Sequence, residues 1–349
     1  MGLDTHKRFH TVAVVDSAGR ELAARDFPAC AAGYAEALGW ARGFGEVARA
    51  GVEGTGSYGA GASAFLSGHG VEVLDVYKPD RQERRRRGKD NVRDAFEAAA
   101  AALSRRRCAP AKENGELMQA LQLLKSAYDQ AVRQRTAALN ALGADVVRLP
   151  DAMRAPLGGL SGLALAKACA PFRVPEGAMG IAPGAKAAMR SLARRALALD
   201  AEAKALDREV ERYASALAPR TMALAGIGHH GAANLLCAAG ENIGRLRGEA
   251  SFAMLCGVAP VPASTGDRHH FRLNRAGSRK ANNAIYNMAI TRMGKDEETR
   301  AFIDRKMGEN KTKKDAIRSL KRYLAREAYG ALKADLEDLG LMREGGAAA

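Results

Sequence analysis

The stretch from Ala48 to Tyr58, ARAGVEGTGSY, runs from a short apolar segment through an acidic residue into a glycine-rich segment. The apolar part, which ends at Glu53, is typical of a short strand, and the glycines after it are typical of a turn. A second acid, Asp4, also follows a short apolar segment. The sequence therefore predicts two carboxylates at the ends of strands.

Residues 1 to about 105 alternate between strand-like and helix-like segments. Strands are predicted at Thr11–Val15, Ala48–Glu53 and Val71–Val76, a turn at Asp16–Gly19, and helices at Ala32–Phe44 and Asp94–Arg107. Strands that alternate with helices imply a sheet with helical cover. We therefore predict an α/β domain over residues 1–107.

A third acidic segment, Lys89 to Ala95 (KDNVRDA), opens the last of these helices. Asp94 lies there, with Asp90 or Asn91 close by. Carboxylates from two strand ends and a helix suit a Mg²⁺ or Mn²⁺ site for phosphodiester chemistry, because these ions prefer oxygen ligands. Asn91 is equally expected to cap the helix, with Asp94 complementing the helix dipole, and the cap and ligand roles are compatible.

Two long helices are predicted in the middle of the chain, over about 112–148 and 185–217, because leucines recur there at spacings of three, four and seven. They suggest an antiparallel hairpin with a coiled-coil seam, although core helices of a plain bundle explain the spacing as well. We predict a second domain over 108–218.

Residues 219–349 form a third, mostly helical domain. Its turn Ala225–Gly228 resembles a helix-hairpin-helix turn, which would expose backbone N–H groups to a phosphate. The alternative is that these glycines only form a turn between two helices, where glycine is common. His229 and His230 follow this turn and are expected to face phosphate or solvent.

The composition points to an anionic partner. The 349 residues carry a net charge of +15, and the five cysteines form no C-x-x-C pair, so neither a disulfide framework nor a zinc site is indicated. No apolar run reaches the roughly 18 residues of a membrane span, and no signal peptide opens the chain. We expect a cytoplasmic bacterial protein that contacts no membrane.

Several motifs together resemble the DEDD transposases of bacterial insertion sequences, the IS110 or Piv-like family. They are GLDTHK (2–7), VEGTGSY (52–58), KDNVRDA (89–95), LCGVAPVPASTG (255–266) and RLNRAGSRKAN (272–282). The resemblance covers nearly the whole chain. It implies an RNase H-like (RuvC-like) nuclease domain, a coiled coil, and a mostly α C-terminal domain with a nucleophilic serine. It also implies a structured noncoding guide RNA that pairs with DNA at the element ends and target, and a homo-oligomer, dimer or tetramer, formed through the coiled coil.

The resemblance has two departures. The family has an acid where this chain has Asn91, and Asp90 is displaced from that position by one residue. Asp90 would lie on the same helix face as Asp94 and is a substitute ligand; Asn91 could also ligate through its amide oxygen. In addition, Asp4 follows only three residues, so the given start is expected to truncate a longer first strand.

Ser264 is the candidate nucleophile, with Thr265 as the fallback. A serine needs an activating base, metal or positive site, and Arg268, His269 and His270 follow closely. A turn serine bonded to its own backbone is the alternative. The catalytic set is thus Asp4, Glu53, Asp94 and Ser264, with Asp90 and Asn91 as further metal ligands.

Clusters of basic residues mark the expected nucleic-acid contacts. They are Arg84, Arg85, Arg86, Arg87 and Lys89 beside the carboxylates, and Arg268, Arg272, Arg275, Arg279 and Lys280 in the C-terminal part. A solvated surface is the alternative for a run of charges. Aromatic residues make up only 5% of the chain, which fits a protein that leaves the reading of sequence to RNA pairing.

Two other functions remain open from the sequence. A RuvC-like endonuclease would use metal-activated water, with Ser264 only structural. A non-catalytic nucleic-acid-binding remnant would have a metal site disabled by Asn91.

Overall fold

A computed structural model describes residues 1–76, 90–106, 108–112, 114–262, 271–272, 274 and 277–346. It separates into two compact units. The first comprises Met1–Asn114 with Ala239–Gly248, and the second comprises Gly115–Ala238 with Glu249–Ala349. Compact units and functional domains are different divisions of a chain, so the three domains expected from the sequence stay a prediction.

A six-stranded mixed sheet forms the centre of the first unit. Its strands are β1 (Gly2–Thr5), β2 (Phe9–Val15), β3 (Glu21–Pro28), β4 (Arg49–Glu53), β5 (Glu72–Val76) and β6 (Cys108–Pro110), in the order β3-β2-β1-β4-β5-β6. β1, β2 and β3 pair antiparallel, β4 and β5 lie parallel to β1, and β6 is antiparallel to β5. The carboxyl ends of β1, β4 and β5 therefore meet at one edge of the sheet.

Three helices in the described part of this unit pack on the sheet. They are α1 (Ala31–Arg42), α2 (Ala60–Gly68) and α3 (Asn91–Ser104). α1 and α2 contribute Leu38 and Leu66 to a core that also contains Leu3, Val12 and Val52 from the strands. Because side chains alternate across a strand, the residues that flank Leu3 and Val52 point to the opposite face. α3 covers that opposite face.

α3 approaches the sheet closely because β1 and β4 present glycines to it. A Cβ added to Gly2 would lie 2.2 Å from the carbonyl oxygen of Ala95, and one added to Gly51 would lie 2.1 Å from that of Ala98. Neither distance is possible for a real Cβ, so a side chain at either position would push α3 away from the sheet. The helix presents only small residues in return, since Ala95, Ala98, Ala99 and Ala102 are its buried side chains.

The prediction of a mixed α/β N-terminal part is confirmed, including a strand that ends near Asp4, but three of its elements were not predicted: β3, β6 and α2. The bounds of α3 also differ, since it begins at Asn91 and ends at Ser104 rather than spanning Asp94–Arg107. Arg105 ends the helix in the left-handed conformation, with a φ of 51°.

Helices dominate the described part of the second unit. They are α4 (Glu116–Val147), α5 (Asp151–Arg154), α6 (Gly162–Cys169), α7 (Ile181–Leu217), α8 (Pro219–Ala223), α9 (His229–Ala239), α10 (Glu249–Leu255), α11 (Arg279–Lys295), α12 (Glu297–Gly308) and α13 (Lys313–Gly346). A short ribbon, β7 (Val261–Pro262) with β8 (Phe271–Arg272), accompanies them. The prediction of a mostly helical remainder is confirmed.

α4 and α7 form the long helix pair that the leucine spacing predicts. Arg135 of α4 donates a hydrogen bond to Asp200 of α7, whereas Leu142, farther along α4, shares a core with Met189, which is earlier in α7. Residues later in α4 therefore contact residues earlier in α7, so the two helices run antiparallel. The coiled-coil seam stays a prediction. Among the described residues, no helix combines the length and the apolar character that crossing a bilayer requires.

Candidate functional site

Asp4 and Glu53 are both buried, each with 4% of its surface exposed, on the two central parallel strands. Gly2 pairs with Gly51 and Leu3 with Val52, so Asp4 and Glu53 occupy the next level of the same register. Neighbouring strands lie about 4.8 Å apart, and side chains two residues apart share a face. Both carboxylates therefore belong to the face that α3 covers, one level beyond the two glycines.

Asp94 lies in the first turn of α3, which runs antiparallel to β4. Arg49, at the start of β4, donates a hydrogen bond to the carbonyl of Leu103 near the helix end, and Gly51 lies against Ala98. Two residues of strand advance about 7 Å and four residues of helix about 6 Å. Glu53 is therefore at the same height along the sheet as Asp94. All three predicted acids, Asp4, Glu53 and Asp94, lie on the sheet face that α3 covers, at the carboxyl ends of β1 and β4.

Asn91 and Asp90 differ in their relation to this face. The helix N-cap is Asp90, whose exposed carboxylate accepts a hydrogen bond of 3.0 Å from the N–H of Val92. The expectation that Asn91 caps the helix is therefore wrong. Asn91 is the first helical residue, three positions before Asp94, and it shares the stripe of α3 that faces the sheet. Asn91, not Asp90, is on the same helix face as Asp94.

The glycine-rich turn after Glu53 is fixed to both neighbouring strands. Thr5 of β1 donates a 2.8 Å hydrogen bond to the carbonyl of Glu53, and Thr55 donates a 2.8 Å hydrogen bond to the carboxylate of Asp75 on β5. Gly54 has a φ of 68°, where a side chain would be strained. These contacts hold the backbone that carries Glu53, and sequence patterns did not indicate that Asp75 takes part.

Two histidines lie beside Asp4. The Nε2 atom of His6 is 3.0 Å from Oδ2 of Asp4. His10 is 1% exposed and stacks on Tyr34, with the ring centroids 5.6 Å apart, so it is a packed histidine and not a solvated one. Burial lowers the pKa of His10, which keeps its ring neutral. His6 is therefore the histidine that can orient the carboxylate of Asp4.

The donor chemistry of this site fits Mg²⁺ or Mn²⁺. Carboxylate oxygens are the hard ligands that these ions prefer, and two buried carboxylates at one register level repel each other, which a divalent cation would offset. The three acids do not form the tightest ligand group, however. Within the part of the chain that the structure describes, three potential ligands lie within 4.8 Å of one another only at Asp207, His229 and His230.

Ser264 and Thr265 lie outside the described residues, as do Arg268, His269 and His270. The chain on either side of residues 263–270 is described. Val261 pairs with Arg272 and Pro262 with Phe271, so the two ends of this segment leave one antiparallel ribbon. The candidate nucleophile is two residues beyond the end of β7.

The C-terminal motif residues fix the base of this ribbon. Asn274 donates a 3.0 Å hydrogen bond to the carbonyl of Met254, and the N–H of Ser278 donates one of 2.7 Å to the carbonyl of Leu255. A Cβ on Gly277 would lie 2.3 Å from the backbone nitrogen of Gly257, so the two segments approach as closely as glycine allows. The motif thus has a structural role that its sequence did not indicate.

Asn282 extends this anchor into the core. Its amide donates hydrogen bonds to the carbonyls of Cys256 and Gly257, at 2.9 and 3.0 Å, and accepts one of 2.6 Å from Lys321. Burial raises the pKa of the Cys256 thiol to about 12 and lowers the pKa of Lys321. A buried lysine left without its acceptor would be costly, so the Asn282 amide is required for the packing at the ribbon base.

The predicted nucleic-acid residues are only partly within the structure. Seven of them lie outside the described residues: Arg84, Arg85, Arg86, Arg87, Lys89, Arg268 and Arg275. Of Arg272, only the backbone is described. Arg279 is exposed at the start of α11. Lys280 forms an ion pair of 2.5 Å with Asp129 of α4, so its charge is partly neutralised within the chain.

The glycine-containing turn before α9 packs against another helix. Gly226 has a φ of 89°, and a Cβ there would lie 3.0 Å from the backbone of Met288, so its glycine is explained by packing. Phosphate binding by the turn stays a prediction. His229 and His230, which were expected to face phosphate or solvent, are half-buried, and each has its Nε2 atom 2.8 Å from Oδ1 of Asp207. Asp207 lies on another helix, and sequence spacing gave no signal for it.

Comparison with known proteins identifies two regions of the chain. A family model described as DEDD_Tnp_IS110, transposase, matches residues 1–147, and a model described as Transposase IS116/IS110/IS902 family matches residues 218–304. The first contains the three acids of the sheet and α3, and the second contains the ribbon with its anchor. Together they cover about two thirds of the chain. A search of the curated proteins found no match.

Proposed function

The chain belongs to the IS110 family of transposases, and we propose that it cuts and rejoins DNA through a covalent link between Ser264 and a DNA phosphate. A transposase is a DNA-recombining enzyme, so DNA is its partner. The covalent serine link, the divalent metal and the guide RNA are the finer parts of the proposal.

One observation supports the nuclease part above all others. Asp4 and Glu53 are buried at one level of two parallel strands, on the face where α3 begins with Asp94 in its first turn. A mixed sheet with acids at the carboxyl ends of its central strands is what an RNase H-like (RuvC-like) domain needs. Two close-packed glycines keep α3 near those acids.

Asp4, Glu53 and Asp94 would hold Mg²⁺ or Mn²⁺, with the Asn91 amide oxygen as a neutral fourth donor on the same face. The ion would supply a positive charge that offsets the charge developing on the phosphate oxygens. His6 orients the carboxylate of Asp4, and Thr5 fixes the backbone of Glu53.

Ser264 would act by transesterification. Its hydroxyl oxygen forms a bond to phosphorus and its proton passes to solvent, while the bond from phosphorus to one deoxyribose oxygen breaks and that oxygen takes up a proton. Attack by a deoxyribose hydroxyl of another strand on the phosphoserine reverses these changes and rejoins the DNA. The ribbon base at Asn274 and Gly277 fixes where this segment leaves the helices.

The partners follow from charge and surface. The net charge of +15 favours DNA and RNA backbones, and the low aromatic content favours a guide RNA for reading the target. The oligomer rests on the family resemblance and on the long pair of α4 and α7, which would present a helical surface to another subunit. A dimer or tetramer would bring nuclease and serine domains of different subunits to one DNA.

Trapping of the covalent intermediate tests the proposal. The full chain is mixed with its noncoding RNA and with DNA that carries the element ends, and denaturing gels then separate protein–DNA adducts. We expect adducts with the wild type and none with Ser264→Ala. Adducts that persist in Ser264→Ala and vanish in Thr265→Ala would assign the nucleophile to Thr265. Metal-dependent cleavage without any adduct would instead establish the water-dependent endonuclease.

The metal part has its own matched pair of variants. Glu53→Gln removes a charge at the carboxyl end of β4, whereas Glu72→Gln removes one at the opposite end of the neighbouring strand β5. We expect Glu53→Gln to abolish adduct formation and Glu72→Gln to preserve it. Equal activity of the two variants would exclude Glu53 from the metal site.

A further inference from the structure

A second group of potential metal ligands lies within the second unit, where α7 passes the start of α9. Asp207 projects from α7, and His229 and His230 are the first residues of α9. We propose that these three side chains bind a transition-metal ion of the Zn²⁺ type, independently of the carboxylates in the first unit. The ion would join α7 to α9.

The geometry of the three side chains requires little change to accept an ion. The Nε2 atoms of His229 and His230 each lie 2.8 Å from Oδ1 of Asp207, and the imidazole rings lie 4.4 Å apart. Tetrahedral ligands at zinc bond lengths of about 2.0–2.1 Å are separated by roughly 3.3 Å. The oxygen therefore has to separate from the nitrogens by about 0.5 Å, which side-chain rotation provides.

The ligand types select the metal. Two imidazole nitrogens and one carboxylate oxygen suit Zn²⁺, Co²⁺ or Ni²⁺ and leave a coordination position for water, whereas Mg²⁺ prefers an all-oxygen set. The two proposed sites of the chain thus differ in the metals that they would take. Mg²⁺ in excess would occupy the carboxylates and leave the histidines free for Zn²⁺.

His230 has ring nitrogens whose surroundings suit a metal ligand. Both of its ring nitrogens are shielded from solvent and make no aligned hydrogen bond within the described residues, although Nε2 lies close to Asp207. An unsatisfied buried polar atom is costly, and a metal ion at Nε2 would remove that cost.

The charges around the group are compatible with a cation. The carboxylate of Asp207 lies against both imidazole rings and would supply the anionic ligand. Tyr128 of α4 packs on the ring of His230 at 4.2 Å and fixes its plane. Lys125 brings a positive charge to the same side, but Asp129 pairs with it and offsets that charge.

Retention of Zn²⁺ by the full chain tests the site. The protein is dialysed against Zn²⁺ in the presence of excess Mg²⁺, and bound zinc is measured together with the midpoint of thermal unfolding. We expect the wild type to retain one equivalent of Zn²⁺ and to melt at a higher temperature with it. The double variant His229→Gln/His230→Gln should lose that equivalent and the rise in midpoint. His69→Gln, an exposed histidine of the first unit, is the control and should behave like the wild type.

Two outcomes would overturn the proposal: a wild type that retains no Zn²⁺, or a double variant that retains as much as the wild type. Should the double variant fail to fold, Asp207→Asn decides in its place, because the amide keeps the shape of the side chain and removes its charge. Glu53→Gln separates the two metal sites. It should retain Zn²⁺ fully even if it is inactive on DNA.

Discussion

Replacing Gly51 by alanine tests whether the close packing of α3 sets the geometry of the carboxylates. The new Cβ would lie 2.1 Å from the carbonyl oxygen of Ala98, whereas ordinary contact begins at 3.4 Å, so α3 must move away by about 1 Å. Overpacking of this kind costs about 1–3 kcal/mol. A displacement of about 1 Å at a catalytic group can lower a rate by about 100-fold.

We therefore expect Gly51→Ala to remain folded, to lose about 1–3 kcal/mol of unfolding free energy, and to cleave DNA about 100-fold more slowly. Urea unfolding followed by circular dichroism gives the first quantity. The rate of Mg²⁺-dependent cleavage, divided by the folded fraction, gives the second. The loss of rate should exceed what the loss of folded protein explains.

Gly39→Ala is the matched control. Gly39 lies inside α1, where an added Cβ meets nothing within 4 Å. The change should stabilise the helix by up to about 1 kcal/mol and leave cleavage unchanged. A Gly51→Ala protein that is destabilised as expected but cleaves at the wild-type rate would refute the idea that the position of α3 governs the site.

Three other predictions concern individual residues. Asn91→Asp should tighten Mg²⁺ binding by about tenfold or more, because affinity follows the number of charged ligands, whereas Asp90→Ala should lower the free energy of unfolding by about 1 kcal/mol through loss of the helix cap and leave the metal affinity unchanged. Titration with Mg²⁺ and urea unfolding of both variants measure these quantities. A weaker affinity for Mg²⁺ in Asp90→Ala would make Asp90 the ligand. Ser264→Ala should bind DNA and RNA as tightly as the wild type, because many cations and not one hydroxyl provide the affinity; a gel-shift titration that shows weaker binding would mean that the serine does more than attack. Replacing Arg84 to Arg87 by alanine should lower the slope of log affinity against log salt by up to about 3.6, at about 0.9 for each DNA phosphate that the protein neutralises. An unchanged slope would show that this run only faces solvent.

The buried strands could be predicted from the sequence, and the irregular ones could not. β4 and β5 consist largely of buried residues, which the apolar runs reveal. β3 buries only Phe27 among its eight residues, so it has no apolar alternation. The short apolar segment before Asp4 indicated β1, although its pairing with β2 and β4 could not be read from four residues.

The candidate site was predictable as a set of residue types, but not as an arrangement. The acids stood out because each follows or opens a regular element. The difference between Asp90 and Asn91 depended on where α3 begins, and a single residue at a helix start is beyond what sequence patterns resolve. Asp207 gave no signal, because its neighbours in space, His229 and His230, lie on a different helix.

The ribbon of β7 and β8 has a consequence for a chain that is cut. Its two strands pair with each other, and the residues just beyond them are bonded to α10 through Asn274 and Ser278. A protease cut between residues 262 and 271 would therefore leave both fragments attached to the same helices. Such a nicked protein would keep its native mass in solution and its binding of nucleic acid. Ser264, the residue proposed to join DNA, would then lie close to a new chain terminus.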